Sequence, residues 1–329
     1  MKAFVTGGSG FVGQNLIRML VEAGHEVRAL ARSGGAEEAV RAAGAVAVPG
    51  SLLDLKALRA GMTGCDTVFH SAALMEFFRH RKEMEEVNVH GTRCIVEAAR
   101  ASGVPCLVFI SAAAVISNGR PVINADESRP YPARVFGVYS RTKAEAEKLV
   151  LGANAPGFTT VAVRPPGIWG AGDANFLPNV VSAVKRGQFV WVNHGNYPYS
   201  MCHVHNVCEG AVLAAGRGRG GEAYFMTDGG PAMTFRQLLT GLLATQGVTP
   251  GSISLPRWFV WGMAGASEMA WHLLFLRGGP PLTRAHLALI GGEVTVSDAK
   301  ARRELGYTAM MSREAGLAEL STLHSTGEE

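Results

Sequence analysis

The sequence predicts an α/β fold: a doubly wound parallel sheet with helices on both faces, and a smaller C-terminal domain after it. Three observations predict it. Short apolar segments alternate with amphipathic ones through the first half of the chain. A glycine-rich turn, Gly7 to Gly13, joins the first apolar segment to the first amphipathic one. Past residue 170 the alternation gives way to irregular stretches carrying Asn175, Pro178, Trp191, Gly195 and Pro198.

Taken in order, residues 2–6 are a short apolar run and read as the first strand. Residues 14–23 place Leu16, Ile17, Leu20 and Val21 at helical spacing, and Gly24 closes that helix. Residues 27–30 are the next strand, 37–43 a helix, 45–48 a short strand and 55–60 a helix. A strand over 66–70, a helix over 89–101, a strand over 106–111, a helix over 140–151 and a strand over 160–164 follow. Strands spaced by helices in this way predict a parallel sheet covered on both faces. The tail from Ser325 is polar and reads as frayed.

Composition narrows the classes. The chain has 329 residues, 47% of them hydrophobic, which supports a full core and excludes disorder. Its net charge of +4 comes from scattered basic residues, so no nucleic-acid partner is expected. Five cysteines (Cys65, Cys94, Cys106, Cys202 and Cys208) form no CxxC pair, which suits buried thiols in a reducing, cytoplasmic setting. Residues 1–5 run straight into glycines and read as a strand rather than a secretory leader. Residues 258–276 are almost wholly apolar between Arg257 and Arg277 and approach the length of a membrane span. Ser267, Glu268 and His272 interrupt them, and an unpaired carboxylate in lipid is costly. The preferred reading is a buried or surface-docked helix beside an apolar pocket, with peripheral membrane contact left open.

The glycine turn carries chemistry. Gly7 permits the tight turn, Gly10 lets the backbone approach a pyrophosphate, and Gly13 lets the helix pack closely. The helix start at Phe11 and Val12 then offers free N–H groups and a positive dipole end to phosphate oxygens. In a strand–turn–helix context this is the Rossmann signature of a bound dinucleotide. Residues 1–170 are therefore expected to bind the dinucleotide and residues 171–329 the substrate, with a strand near 201–207 free to return to the first domain. At the end of the second strand, residues 29–33 hold no carboxylate for a ribose 2′-hydroxyl but do hold Arg32. A guanidinium matches a 2′-phosphate, so NADP is the preferred cofactor and NAD the second choice.

Tyr139 and Lys143 are four residues apart at the start of an expected helix, hence on one face. A phenol titrates near pH 10, and a neighbouring ammonium favours its phenolate. Tyr139 is thus the expected acid–base residue for an alcohol or ketone, and Lys143 its partner and a ligand for the nicotinamide ribose.

Together these motifs resemble the extended short-chain dehydrogenase/reductase family, within the NAD-dependent epimerase/dehydratase superfamily. The resemblance runs nearly the whole chain. Phe69-His70-Ser71-Ala72-Ala73 is similar to the family's stretch beside the cofactor, and Asn88-Val89-His90-Gly91-Thr92 to its Val-Asn-Val-x-Gly-Thr helix start. The segment Arg164-Pro165-Pro166-Gly167-Ile168-Trp169-Gly170 resembles its loop near the nicotinamide, and His203-Val204-His205-Asn206-Val207 its His-Val-Asp-Asp/Asn-Val segment. The resemblance implies cofactor contacts at Ser71, Ala72, Ala73, Asn88, Pro165 and Ile168. Segments 224–229, 281–284 and 301–307 resemble the 3β-hydroxysteroid dehydrogenase branch, which implies a sterol or long-chain 3-keto acid as substrate. It also implies a homodimer through the helices starting near Val89 and Ser140.

Three positions depart from the family pattern. Ala112 stands where a Ser or Thr usually polarises the substrate oxygen, which leaves Ser111, one residue earlier, as the candidate third catalytic group. Ser51 stands where an Asp near the adenine is common, and Tyr199 where nucleotide-sugar enzymes carry an arginine. Cys202, His203, His205 and Cys208 crowd together without a zinc spacing, so no metal is expected. The run Glu76, Arg79, His80, Arg81 and Lys82 reads as a solvated loop at the active-site entrance. Trp169 and Trp191 suit pocket or core equally. The leading function is interconversion of a secondary alcohol and a ketone on an apolar substrate. A nucleotide-sugar epimerase or dehydratase and a non-catalytic lipid carrier or sensor are the alternatives.

Overall fold

A computed structural model describes residues 1–78, 80–276 and 278–327. Its first half runs β1 (Lys2–Thr6), α1 (Phe11–Glu22), β2 (Glu26–Ala31), α2 (Gly34–Ala42), β3 (Val46–Pro49), α3 (Leu55–Met62) and β4 (Thr67–His70). A short α4 (Arg81–Met84) and a π-helical turn (Glu85–His90) lead into α5 (Gly91–Ala101) and β5 (Cys106–Ile110). Next come β6 (Val122–Ala125), α6 (Val138–Leu151), β7 (Thr159–Arg164) and β8 (Gly167–Trp169). Arg79, part of the charged run, and Arg277, which flanks the apolar segment, lie outside the described residues.

The later half contains α7 (Phe176–Lys185), β9 (Trp191–Val192), β10 (Met201–His203), α8 (Val204–Arg217) and β11 (Ala223–Phe225). It continues with α9 (Phe235–Thr245), β12 (Ser254–Leu255), α10 (Arg257–Leu273) and α11 (Arg284–Ile290). β13 (Val294–Val296), α12 (Ala299–Leu305) and α13 (Arg313–Thr326) complete it.

Seven strands make one parallel sheet in the order β3-β2-β1-β4-β5-β7-β11. The order reverses between β1 and β4, the crevice where such sheets bind ligands. Alternate side chains of each strand feed opposite faces. In β5, Cys106, Val108 and Ile110 join the core under α1 and α8, while Leu107 and Phe109 join the core under α3, α5 and α6. Burial on both faces is why these strands read as unbroken apolar runs.

The segment near 201–207 does not enter this sheet. β10 pairs with β8 in a separate two-stranded sheet, and α8 then covers the main one. Pro165 and Pro166 have no N–H to donate, so the chain leaves the ladder after Arg164 and β8 carries β10 with it. The strand that completes the large sheet is β11, beside β7. A third core gathers Trp169, Trp191, Tyr199, Phe235 and the α9 leucines. Both tryptophans are thus core residues.

α10 is docked on the surface rather than buried, held by Val260, Ala264 and Leu287. No helix is long and apolar enough to cross a membrane among the described residues. Its outward side carries Trp258 (75% exposed), Phe259, Met263, Met269 and Leu273 (70%). Leu274, Phe275 (88%) and Leu276 extend that apolar strip. Glu268 is held by the backbone and guanidinium of Arg284, so the carboxylate has its partner.

Candidate active site

The glycine turn lies at the C-terminal end of β1. Gly7 adopts φ +72°, and a Cβ there would strike the Ala72 backbone at 2.7 Å. A Cβ on Gly13 would lie 2.0 Å from the Gly7 carbonyl oxygen, so α1 and the turn interlock only through glycine. The Gly10 N–H bonds to the Gly7 carbonyl, and no side chain caps α1. The N–H groups of Phe11, Val12 and Gly13 therefore face outward with no acceptor among the described residues. That uncapped first turn, with the close approach at Gly7 and Gly13, fits a dinucleotide pyrophosphate. Arg32 follows β2 as an exposed cation with no ion-pair partner among the described residues.

Beside the turn, Ser71 Oγ donates to the Thr6 carbonyl at 2.8 Å and the Ala72 N–H reaches Thr6 Oγ1. Ala73 continues this loop. Underneath, His70 is fully buried, with Nδ1 2.7 Å from Thr6 Oγ1 and Nε2 2.8 Å from Thr92 Oγ1. Thr92 donates its own proton to the Asn88 carbonyl, so His70 Nε2 must carry the hydrogen. Burial, reinforced by Lys143, pushes the His70 pKa down to about 3 and keeps the ring neutral.

Asn88 is placed differently from its expected part. Its two amide protons go to the Leu74 carbonyl and to Thr142 Oγ1, and its Oδ1 accepts the Leu74 N–H. The side chain ties the β4 loop to α6, with no proton left to donate to a cofactor. Pro165 accepts the Ala113 N–H through its carbonyl, and Ile168 packs on the core under α1. Both follow β7 on the same rim of the sheet.

Tyr139 and Lys143 share a face of α6, as their spacing predicts. Lys143 is 2% exposed, donates to the Ile110 carbonyl at 2.6 Å and lies 4.1 Å from the centre of the Phe109 ring. Burial lowers its pKa to about 7 against an opposing pull from Glu147. Tyr139 is half-buried, and its Oη has no hydrogen-bond partner among the described residues. Burial pushes its pKa up to about 12. The expected lowering by the ammonium is not what this arrangement gives: Lys143 is bonded to Ile110, and desolvation governs the phenol.

α6 is fixed from behind. Arg164 and Glu147, both buried, are joined by three hydrogen bonds of 2.8–3.2 Å, and the Tyr131 hydroxyl adds another to the same carboxylate. Glu147 continues the Tyr139–Lys143 face, so the pair sets the helix on β7.

Ser111 and Ala112 split as strand alternation requires. Ala112 is partly exposed in extended backbone, while the Ser111 Oγ is sealed from solvent with no hydrogen-bond partner. Tyr199 is a core residue whose hydroxyl donates to the Leu289 carbonyl, and it offers no charge to a diphosphate. The Cys202–Cys208 cluster is structural. Cys202 lies 3.7 Å from the Tyr307 hydroxyl, and His203 Nδ1 accepts the His205 N–H.

Two residues of the site were not visible in the sequence. Phe77, in the loop after β4, meets the Tyr139 ring edge-on at 6.0 Å and the His286 ring at 3.9 Å. Phe78 lies 5.5 Å from His272 on α10. Only the fold brings the loop near residue 77 against helices 200 residues later. Aromatic residues in an expected polar loop were the one available signal.

Residues 4–257 match the sequence profile of the 3-beta hydroxysteroid dehydrogenase/isomerase family. The chain is 46% identical, over 328 residues, to the 4-hydroxy-2-methyl-3-oxo-4-farnesyl-3,4-dihydroquinoline-1-oxide ketoreductase of Stigmatella aurantiaca. That alignment covers 100% of this chain and 98% of the relative. The chain is 35% identical to the 2-alkyl-3-oxoalkanoate reductase of Stenotrophomonas maltophilia, covering 97% and 98% of the two chains. Among solved structures, UDP-glucose 4-epimerase of Thermotoga maritima aligns with a TM-score of 0.76 at 21% identity over 100% of both chains, a likeness of fold alone.

Proposed function

Because the chain belongs to the 3-beta hydroxysteroid dehydrogenase/isomerase family, we propose that it works as a ketoreductase on a bulky apolar ketone, with Tyr139 as the acid. It is an oxidoreductase of the short-chain type that interconverts ketone and alcohol with a nicotinamide cofactor. The observation that carries the site assignment is the free Tyr139 hydroxyl one helical turn from a buried Lys143 of depressed pKa.

The reduced nicotinamide, when bound, supplies the hydride. Phe11, Val12 and Gly13 turn their backbone N–H groups to the pyrophosphate, and Gly7 and Gly10 let the backbone approach it closely. Ser71, Ala72, Ala73, Pro165 and Ile168 line the path toward the nicotinamide, and Asn88 holds that loop in place. Tyr139 gives its Oη proton to the substrate oxygen as the carbonyl becomes an alcohol. Lys143 stands one helical turn from Tyr139 on the same face of α6 and binds the nicotinamide ribose. Arg32 selects NADPH by pairing with the 2′-phosphate.

The division of labour follows the rim of the sheet. Residues 1–170 bind the dinucleotide, and residues 171–329 supply the substrate side, with 201–226 packed back on the first part. The substrate class is a ring ketone bearing a long hydrocarbon chain, of the kind named for the Stigmatella relative, ahead of a sterol or a 3-keto fatty acid. The apolar strip of α10 supports this, since a prenyl or alkyl tail needs apolar surface beyond the pocket. The same strip rests on lipid surfaces that hold such substrates. A depression of about 550 Å³ lined by Arg93, Glu97, Arg100 and Leu149 lies between α5 and α6, where a homodimer would form.

The test titrates NADPH and NADH by nicotinamide fluorescence, then follows oxidation of the reduced cofactor with a panel of 3-keto sterols, 3-keto acids and prenylated ring ketones. Turnover of an apolar ketone that vanishes in Tyr139→Phe while cofactor binding persists is the expected result. Binding with no turnover of any ketone would leave only a carrier or sensor, and turnover of sugar nucleotides alone would return the epimerase reading.

A further inference from the structure

Ketone reduction is helped by a second hydrogen bond to the oxygen that gains negative charge. Ala112 has no group to give one, and the Ser111 hydroxyl is sealed from solvent. We propose that His286 supplies it, donating its Nε2 proton to an oxygen of a substrate seated against Tyr139. The inference rests on the reading of Tyr139 as the acid.

Position comes first. The Cβ of Ala285 lies 3.5 Å from where a Cβ on Gly137 would stand, and Gly137 caps α6 two residues before Tyr139. The start of α11 thus sits over the start of the catalytic helix. Phe77 bridges the two rings, 6.0 Å from Tyr139 and 3.9 Å from His286. A substrate that takes the place of the Phe77 ring meets the phenol on one side and the imidazole on the other.

Protonation comes next. Thr283 Oγ1 caps α11 by accepting the His286 backbone N–H, and lies 2.9 Å from His286 Nδ1. Thr283 is buried, and its hydroxyl has no other acceptor among the described residues. Its proton therefore goes to Nδ1, because a buried hydroxyl left without an acceptor is costly. That places the imidazole hydrogen on Nε2, which has no partner among the described residues. Burial lowers the His286 pKa to about 4, so the ring is a neutral donor at neutral pH. Among the described residues neither nearby carboxylate is within hydrogen-bonding distance of the His286 ring. Glu76 Oε1 accepts the N–H groups of Phe77 and Phe78, and Glu268 is held by Arg284. A neutral imidazole polarising a carbonyl is established enzyme chemistry.

The test uses the full chain with NADPH and a 3-keto sterol as probe. His286→Ala is expected to lower kcat by about a hundredfold, the usual cost of losing such a donor, with NADPH affinity unchanged and Tm lowered because the Thr283 hydroxyl loses its acceptor. Adding Ala112→Ser to His286→Ala is expected to restore at least about tenfold of it, because the hydroxyl returns by the other route. Wild-type turnover in His286→Ala overturns the inference, and so does failure of Ala112→Ser to rescue. Should His286→Ala not fold, His286→Gln, which keeps size and an N–H donor, decides: activity within about tenfold of wild type supports the donor role, and loss as deep as in Tyr139→Phe overturns it. The two readings fail separately. If Tyr139→Phe is inactive while His286→Ala is fully active, only the His286 inference falls. A wild type that binds NADPH and reduces no ketone sinks both.

Discussion

The floor and the roof of the site are built on opposite principles. The floor, made of the ends of β1, β4 and β5 with α6 behind, buries polar groups and satisfies nearly every one. His70, Asn88, Thr92, Lys143, Glu147 and Arg164 are all below a tenth exposed, and all are hydrogen-bonded. The roof, made of the loop at Phe77 with α10 and α11, does the reverse. It turns Trp258, Met263, Met269, Leu273 and Phe275 outward and is held by a small core of Val260, Ala264 and Leu287. A partnered polar floor fixes the reacting atoms to a fraction of an ångström. An apolar, loosely anchored roof can adapt to the shape of a greasy substrate.

The largest effect is expected at the reacting group. Tyr139→Phe is expected to lower kcat by about a thousandfold, within the usual worth of a general acid, and to leave cofactor binding intact. Steady-state kinetics beside a fluorescence titration reads both. Retained turnover would mean that the floor does not carry the chemistry.

Next in size is the buried pair behind α6. Glu147→Gln leaves the Arg164 charge unpaired in the core and is expected to cost about 3–5 kcal/mol of stability. Urea unfolding measures it. An equivalent change in the roof, such as Glu268→Gln beside the partly exposed Arg284, is expected to cost under about 1 kcal/mol. Equal costs would erase the distinction between the two regions.

Acid sharpens it further. His70 and His203 have folded pKa values lowered to about 3, and His286 to about 4, all by burial. The unfolded chain takes up these protons first as pH falls below about 6.5, so stability is complete above that value and is lost on the way down to about 3. Denaturant midpoints across this window are expected to fall, and less steeply in His70→Asn. An unchanged slope in that variant would show that the floor histidine is not buried neutral.

The smallest effect on stability is expected where the roof meets water. Met269→Glu with Leu273→Glu is expected to change Tm by less than about 2 °C, since both side chains are already exposed. The same pair is expected to abolish cosedimentation with lipid vesicles. Persistent binding would move the contact surface away from α10.

The sequence disclosed these two regions unequally, for a physical reason. Strands such as residues 106–110 are apolar throughout because both faces are covered, and the glycine turn is legible because only glycine fits between Gly7 and Gly13. Tyr139 and Lys143 are legible because helical spacing alone puts them on one face. The roof is not local in this way. Phe77 and His286 meet across some two hundred residues, and no periodicity records that contact. The short turns over residues 81–90 lack an apolar pattern long enough to read. β11, only three residues long, carried no signal to set it above β10 as the strand that closes the sheet. The expectation that Lys143 lowers the Tyr139 pKa failed because spacing says nothing of burial, and burial governs both groups.

The hydrogen-bonded line through His70 has one direction. Hydrogens point from the Ala72 N–H to Thr6, from Thr6 to the imidazole, from the imidazole to Thr92, and from Thr92 to the Asn88 carbonyl. A backbone donor stands at one end and a backbone acceptor at the other, and neither can exchange roles. Reversing the line would require both hydroxyls and the ring to turn together and would set donor against donor at Ala72. The main chain thus dictates which imidazole nitrogen bears hydrogen, and the orientation of a side chain deep in the protein is written in two peptide groups at its edges.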